Sequence, residues 1–158
     1  EYYRGARSLV DRMAGEGCIH VVLNGAEQVA GRGAIYIAGV DYPFARGDAF
    51  SPQKESYFRA AMANVPADAV TILLAHHPEF IDNAAAHGGV PLTLTGHTHG
   101  SQFGILGQPL FPVFKYTRGM VHIGDSYGYV HTGNGSWFPL RIGCPPEIAY
   151  FRLERTVQ

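Results

Sequence analysis

Val70-Thr71-Ile72-Leu73-Leu74-Ala75-His76 and Leu92-Thr93-Leu94-Thr95-Gly96-His97-Thr98-His99-Gly100 share one design: a short apolar run that ends on histidine. Between them, residues 79–87 read as a short helix stopped by Gly88-Gly89. A strand–helix–strand crossover lays its two strands parallel, so both histidine ends are expected at the same sheet edge. In open α/β sheets, the carboxyl ends of the strands are where ligands bind.

The His97-Thr98-His99 triplet sits between Gly96 and Gly100. In an extended segment, side chains two apart point to the same side. Both imidazoles are then expected to face one cavity, with Thr98 turned away. Glycines on either side let the backbone turn sharply and let a ligand approach. Imidazole suits zinc, iron and related divalent ions. Histidine pairs also serve other architectures. A cupin needs a glutamate a few residues on, and no acidic residue follows until Asp125. A barrel with the pair on its first strand needs far more chain than remains after His99. A zinc finger needs cysteine partners, and Cys18 and Cys144 have no CxxC companions.

The Leu73-Leu74-Ala75-His76 segment and the run from Leu92 to Gln102 resemble the C-terminal half of calcineurin-like metallophosphoesterases. The tail Pro139-Leu140-Arg141-Ile142-Gly143-Cys144-Pro145-Pro146-Glu147-Ile148 resembles the bacterial subgroup related to UDP-2,3-diacylglucosamine hydrolases and twin-arginine-exported phosphoesterases. Tyr36–Asp41 and Arg118-Gly119 fit the same pattern. The resemblance implies an α/β (α+β) fold, part of a four-layer αββα two-sheet sandwich. It implies two divalent metal ions, with manganese, zinc, iron, nickel and magnesium all open. His76 and His97 resemble ligands of one ion and His99 a ligand of the other; His77, which precedes Pro78, is expected behind them or at the surface. In such a centre the ions activate a shared water for in-line attack on phosphorus. His97 and His99 then carry the catalytic role.

The family's Asp-x-His, Gly-Asp-x-x-Asp and Gly-Asn-His motifs do not occur in this chain. Residues 1–158 are therefore expected to be the C-terminal portion of one metallophosphoesterase domain. The missing N-terminal half would be their partner, and the chain alone would bind metal weakly and turn over little substrate. The implied substrate is a phosphomonoester, a phosphodiester, or the pyrophosphate of a nucleotide-linked lipid. Membrane association or export would depend on a segment outside this chain. Two competing readings are a non-catalytic domain that keeps the histidines for a structural metal or packing, and a subunit completed by a separate chain.

The 158 residues suffice for one core. Hydrophobic residues make up 46% and charged residues 16%, which excludes a disordered chain. A formal charge of -1 predicts no nucleic-acid footprint, and no apolar run is long enough for a membrane span. Two cysteines allow at most one disulfide, and two buried thiols are the expectation.

Outward from the histidine segments, Ala6, Leu9, Val10 and Met13 predict a helix over 3–15. Cys18–Leu23 reads as a strand, Asn24-Gly25 as a hairpin turn, and Glu27–Ala30 as its return, with Ala34–Val40 next in an antiparallel ladder. Residues 41–52 read as a loop whose Ser51 caps a helix over 53–63. Met120–Ile123 and Gly128–His131 are expected to pair about Asp125-Ser126, and Ile148–Leu153 to form a last strand. Asp41 is expected in a loop salt bridge and His20 in a structural role. Arg118 is a candidate for the site, since a guanidinium fork matches phosphate. The 132–138 loop carries Thr132 where many relatives carry arginine. Tyr116, Tyr127 and Trp137 could wall a substrate site or simply pack, and His87, His122 and His131 are expected at a helix end or on strands.

Overall fold

The computed structural model describes residues 6–17 and 19–154. Its chain order is α1 (Ala6–Gly15), β1 (Gly25–Gln28), β2 (Ile35–Gly39), α2 (Phe50–Met62), β3 (Val70–Leu74), α3 (Phe80–His87), β4 (Leu92–Thr95), β5 (Gly104–Ile105), β6 (Gln108–Pro109), β7 (Gly119–Ile123) and β8 (Ser126–Val130). Six strands form one mixed sheet in the order β1-β2-β3-β4-β8-β7. The β2–β3, β3–β4 and β4–β8 pairs are parallel, and the two edge pairs are antiparallel. The fold is mixed α/β, as expected.

β4 and β8 alternate in burial because helices cover one face. Ala38, Leu73 and Thr93 are in register across β2, β3 and β4, and all three are buried. Over them lie Phe58, Ala61 and Met62 of α2 and Phe80 and Ala84 of α3. Gly128 is the next residue in this row, and a Cβ there would meet the Ile81 side chain at 2.5–2.7 Å. The missing side chain is what lets α3 rest on β8. The opposite face is apolar but much less covered, with Val70 48%, Leu74 41%, Met120 55% and Tyr127 46% exposed. Among the described residues, no helix is long and apolar enough to cross a membrane.

The expected crossover forms as read: β3, α3 and β4, with α3 ended by Gly88 at φ 73°. Several expectations differ. Ile19–Leu23 is not a strand, although its β-branched residues favour one. Asn24 does take a left-handed φ of 48°, but its side chain accepts the Asp41 amide at 2.9 Å. It therefore staples this segment across the end of β2, close over Gly39, instead of closing a hairpin. The return occurs at residues 29–34, where β1 pairs antiparallel with β2 as expected, and β2 then runs parallel to β3. The second helix starts at Phe50, so Ser51 lies inside it and caps nothing; a short 3-10 turn over Gly47–Ala49 leads in instead. Residues 148–153 pass without ladder bonds, held by Glu147 and by the Phe151 ring against Tyr129. The β7–β8 turn falls at Gly124-Asp125, one residue early. Residues 3–5 and Cys18, which the sequence placed in the first helix and a strand, lie outside the described residues.

Candidate metal centre

The ladder between β3 and β4 runs on past the strands. Ala75 donates to the Leu94 carbonyl at 3.0 Å, and Gly96 donates to the His76 carbonyl at 3.1 Å. This carries His76 and His97 out of the sheet side by side, with ring centroids 5.0 Å apart at 75°. Two imidazoles on one tetrahedral ion, each nitrogen at about 2.0–2.1 Å, bring their centroids to roughly 5 Å. The pair thus fits a shared divalent cation.

The backbone after β4 is not extended, as the sequence suggested. His97 and His99 take φ of 69° and 50°, and Gly100, Ser101 and Gln102 follow at 61°, 70° and 57°. A run of left-handed residues is costly, and it persists only when the surroundings over-determine it. Here they do. Thr98 is fully buried, donates to the Thr117 carbonyl at 2.5 Å and accepts the Gly100 amide at 3.1 Å. Gln102, also buried, gives its amide to the Phe138 and Leu140 carbonyls at 2.9 Å each and accepts the Trp137 amide. Two inward-facing side chains therefore hold a strained loop that presents two outward-facing histidines.

His76, His97 and His99 all line one cleft of about 1040 Å³, with Asp41, Tyr42 and Trp137 on its walls. The Tyr42 ring lies 5.8 Å from that of His76 and 5.5 Å from that of His97, and Phe114 packs 5.0 Å from His97. Trp137 packs 4.9 Å from His99. Asp41 is at the cleft wall, where its carboxylate accepts the Tyr42 amide at 2.8 Å. His77 is buried, not at the surface; its ring packs tilted against His97 at 4.9 Å and Phe50 at 5.0 Å. Burial, with the nearby His97, Lys54 and His76, lowers its pKa to about 4, so it stays neutral behind the pair.

Several candidates lie elsewhere. Arg118 does not line the cleft; it donates to the Gly143 carbonyl at 3.2 Å. The Tyr116 hydroxyl donates to Asp82 at 2.7 Å, beside Lys115. Tyr127 stacks on His122 at 4.3 Å on the open sheet face. His87 ends α3, His131 accepts the Gly133 amide at 2.8 Å, and His20 is exposed, 3.5 Å from Glu27. Thr132 turns from the cleft into the tail, its single hydroxyl proton shared between the Pro145 carbonyl at 3.1 Å and Glu147 at 3.0 Å. The residue that does reach the histidines is Arg141, 3.4 Å from the His99 ring and carbonyl. Among the described residues, no three His, Cys, Asp or Glu side chains converge to hold an ion.

Known proteins carry the same stretch. A metallophosphoesterase of Helicobacter pylori strain J99 is 31% identical over 97% of this chain, and the alignment covers 40% of that relative. The chain belongs to the metallophosphoesterase family. Phosphodiesterase YaeI of Escherichia coli is 35% identical over 60% of this metallophosphoesterase chain and 34% of its own length. YkuE of Bacillus subtilis, also named a metallophosphoesterase, is 37% identical over 54% of it. The chain spans about 40% of the length of the Helicobacter relatives it matches. No family-level sequence profile matches it, and neither does any solved structure.

Proposed function

We propose that this chain carries the histidine side of the centre of a phosphoester hydrolase, with His76 and His97 toward one divalent cation and His99 toward a second. The observation that carries the reading is the meeting of these histidines, from the ends of β3 and β4, in one cleft of a metallophosphoesterase. The further ligands come from the rest of a full-length protein, which the relatives have and this stretch does not cover. A cation bound there supplies Lewis acidity toward a phosphoryl oxygen and a water of lowered pKa. The chain's own part is placement. The strained loop presents His97 and His99 at fixed orientations, while Tyr42, Phe114 and Trp137 pack against the rings. Of the three phosphate esters considered, a phosphodiester has the support of the YaeI name.

The test uses the full-length protein with His76→Ala and His97→Ala variants, reading bound metal and hydrolysis of bis(p-nitrophenyl) phosphate. Each substitution is expected to cost more than the roughly 10–100-fold seen for outer-shell partners of metal sites. Hydrolysis unchanged in both variants overturns the proposal. The second reading, supported by the paired His76 and His97 rings alone, is a metal-binding domain without catalysis of its own. It predicts bound metal and no hydrolysis.

A further inference from the structure

We propose that Arg141 is a positioning residue that sets the tautomer of His99, keeping the proton on Nδ1 and the lone pair on Nε2. The inference rests on the proposed ligand role of His99 and deepens it, because a histidine binds metal only through a nitrogen that carries a lone pair.

Arg141 stands in the tail and binds carbonyls from 3 to 42 residues away in sequence. Its Nη1 donates to the Cys144 carbonyl at 3.3 Å and the His99 carbonyl at 3.4 Å. Its Nη2 donates to the carbonyls of Thr132, at 2.9 Å, and Gly135. The Gly133 carbonyl is more distant at 3.4 Å. Arg141 Nε is buried without a hydrogen-bond partner among the described residues, so the two Nη nitrogens hold the head group. No carboxylate pairs with the guanidinium among the ion pairs of the described residues. The side chain is a clamp on carbonyls, joining the loop after β4, the loop after β8 and the tail.

Donor arithmetic then decides the histidine proton. Nη2 has two hydrogens. Its nearest acceptors, Thr132 and Gly135, use both, and none remains for His99 Nδ1 at 3.4 Å. A lone pair on Nδ1 would therefore face a donor already committed. A proton on Nδ1 has an acceptor, the Gly135 carbonyl at 3.3 Å. That carbonyl has two lone pairs, one for Arg141 and one for His99. By fixing the carbonyl, Arg141 fixes the proton. Metal-binding histidines commonly donate their second ring nitrogen to a carbonyl in this way.

The experiment is nitrogen NMR of the histidine rings in the 15N-labelled full-length protein, with His99 assigned through a His99→Asn variant. Wild type is expected to show Nδ1 protonated and Nε2 not. Arg141→Gln and Arg141→Lys, which lack the fork, are expected to shift the tautomer ratio toward Nε2–H by about tenfold or more. Lysine tests the fork against bare charge, and it serves as the second variant if glutamine prevents folding. Nε2–H in wild type, or an unchanged ratio in a folded variant, overturns the proposal. Failure of the ligand role is seen separately, as a wild-type Nε2 resonance that does not move when zinc chloride is added.

Discussion

Gly100→Ala tests how the histidine loop is held. Gly100 sits at φ 61° with no room around it: a Cβ would lie 2.5 Å from Cys144 Sγ and 2.9 Å from Thr132 Cγ2. Placing an L-residue in left-handed backbone costs roughly 1–2 kcal/mol, and overpacking a close-packed site costs about 1–3 kcal/mol more. The expected loss is therefore about 2–5 kcal/mol, out of a total stability on the order of 5–15 kcal/mol. In a thermal scan this is a fall of about 4–20 °C at roughly 2–4 °C per kcal/mol. Urea unfolding of the single variants and of Gly100→Ala with Cys144→Ala separates the two parts. Cys144→Ala removes the sulfur but not the Thr132 methyl, so the double variant should recover part of the packing share and keep the backbone share. The coupling between the two sites is expected to be at least about 1 kcal/mol. A Gly100→Ala loss within about 0.5 kcal/mol, or strict additivity in the cycle, would refute this account of the loop.

Phe80→Ala removes a fully buried ring where α3 meets the sheet and should cost about 3–5 kcal/mol in urea unfolding. Gly128→Ala should destabilise by about 1–3 kcal/mol through collision with Ile81, and Ile81→Ala should recover part of that loss in the double variant. Glu147 gives a pH prediction. Burial alone would raise its carboxyl, but the Tyr129 hydroxyl and the Thr132 amide and hydroxyl outweigh burial and hold it below its ordinary value. A depressed carboxylate stabilises the fold fully above its unfolded pKa, and the contribution is lost as pH falls through the folded one. Glu147→Gln should therefore flatten the acid limb of stability against pH. Burial and this same bond push the Tyr129 hydroxyl up to about 12, so ultraviolet titration of tyrosinate should find it lower in the glutamine variant.

What could be read from the sequence was what depends on neighbours along the chain. Leu73, Leu94 and Gly88-Gly89 mark the crossover, and a crossover places His76 beside His97 without further information. The β-rich run from Ile19 was misleading because its fate depends on Asn24 binding Asp41, a contact between residues 17 apart that turns the run across the sheet end. The sequence assigns Arg141 no role, since its partners are backbone carbonyls up to 42 residues away, and carbonyls have no residue type to notice. Trp137 was seen only as an aromatic that could wall a site or pack, and its place beside His99 follows from Gln102 gripping residues 137–140. Arg118 had the right chemistry for phosphate but is engaged by Gly143.

Neighbouring strands lie about 4.7–4.9 Å apart along their hydrogen bonds, close to the 5.0 Å between the His76 and His97 rings. The gauge of the site is thus set by main-chain pairing, before any guest arrives. Loading it would order little that is not already ordered, so most of the binding enthalpy should survive as affinity. The same coupling makes the Gly96 amide, bonded to His76, a reporter. Its deuterium exchange should slow with the sheet as a whole, so that losing the gauge and unfolding the central strands become one event.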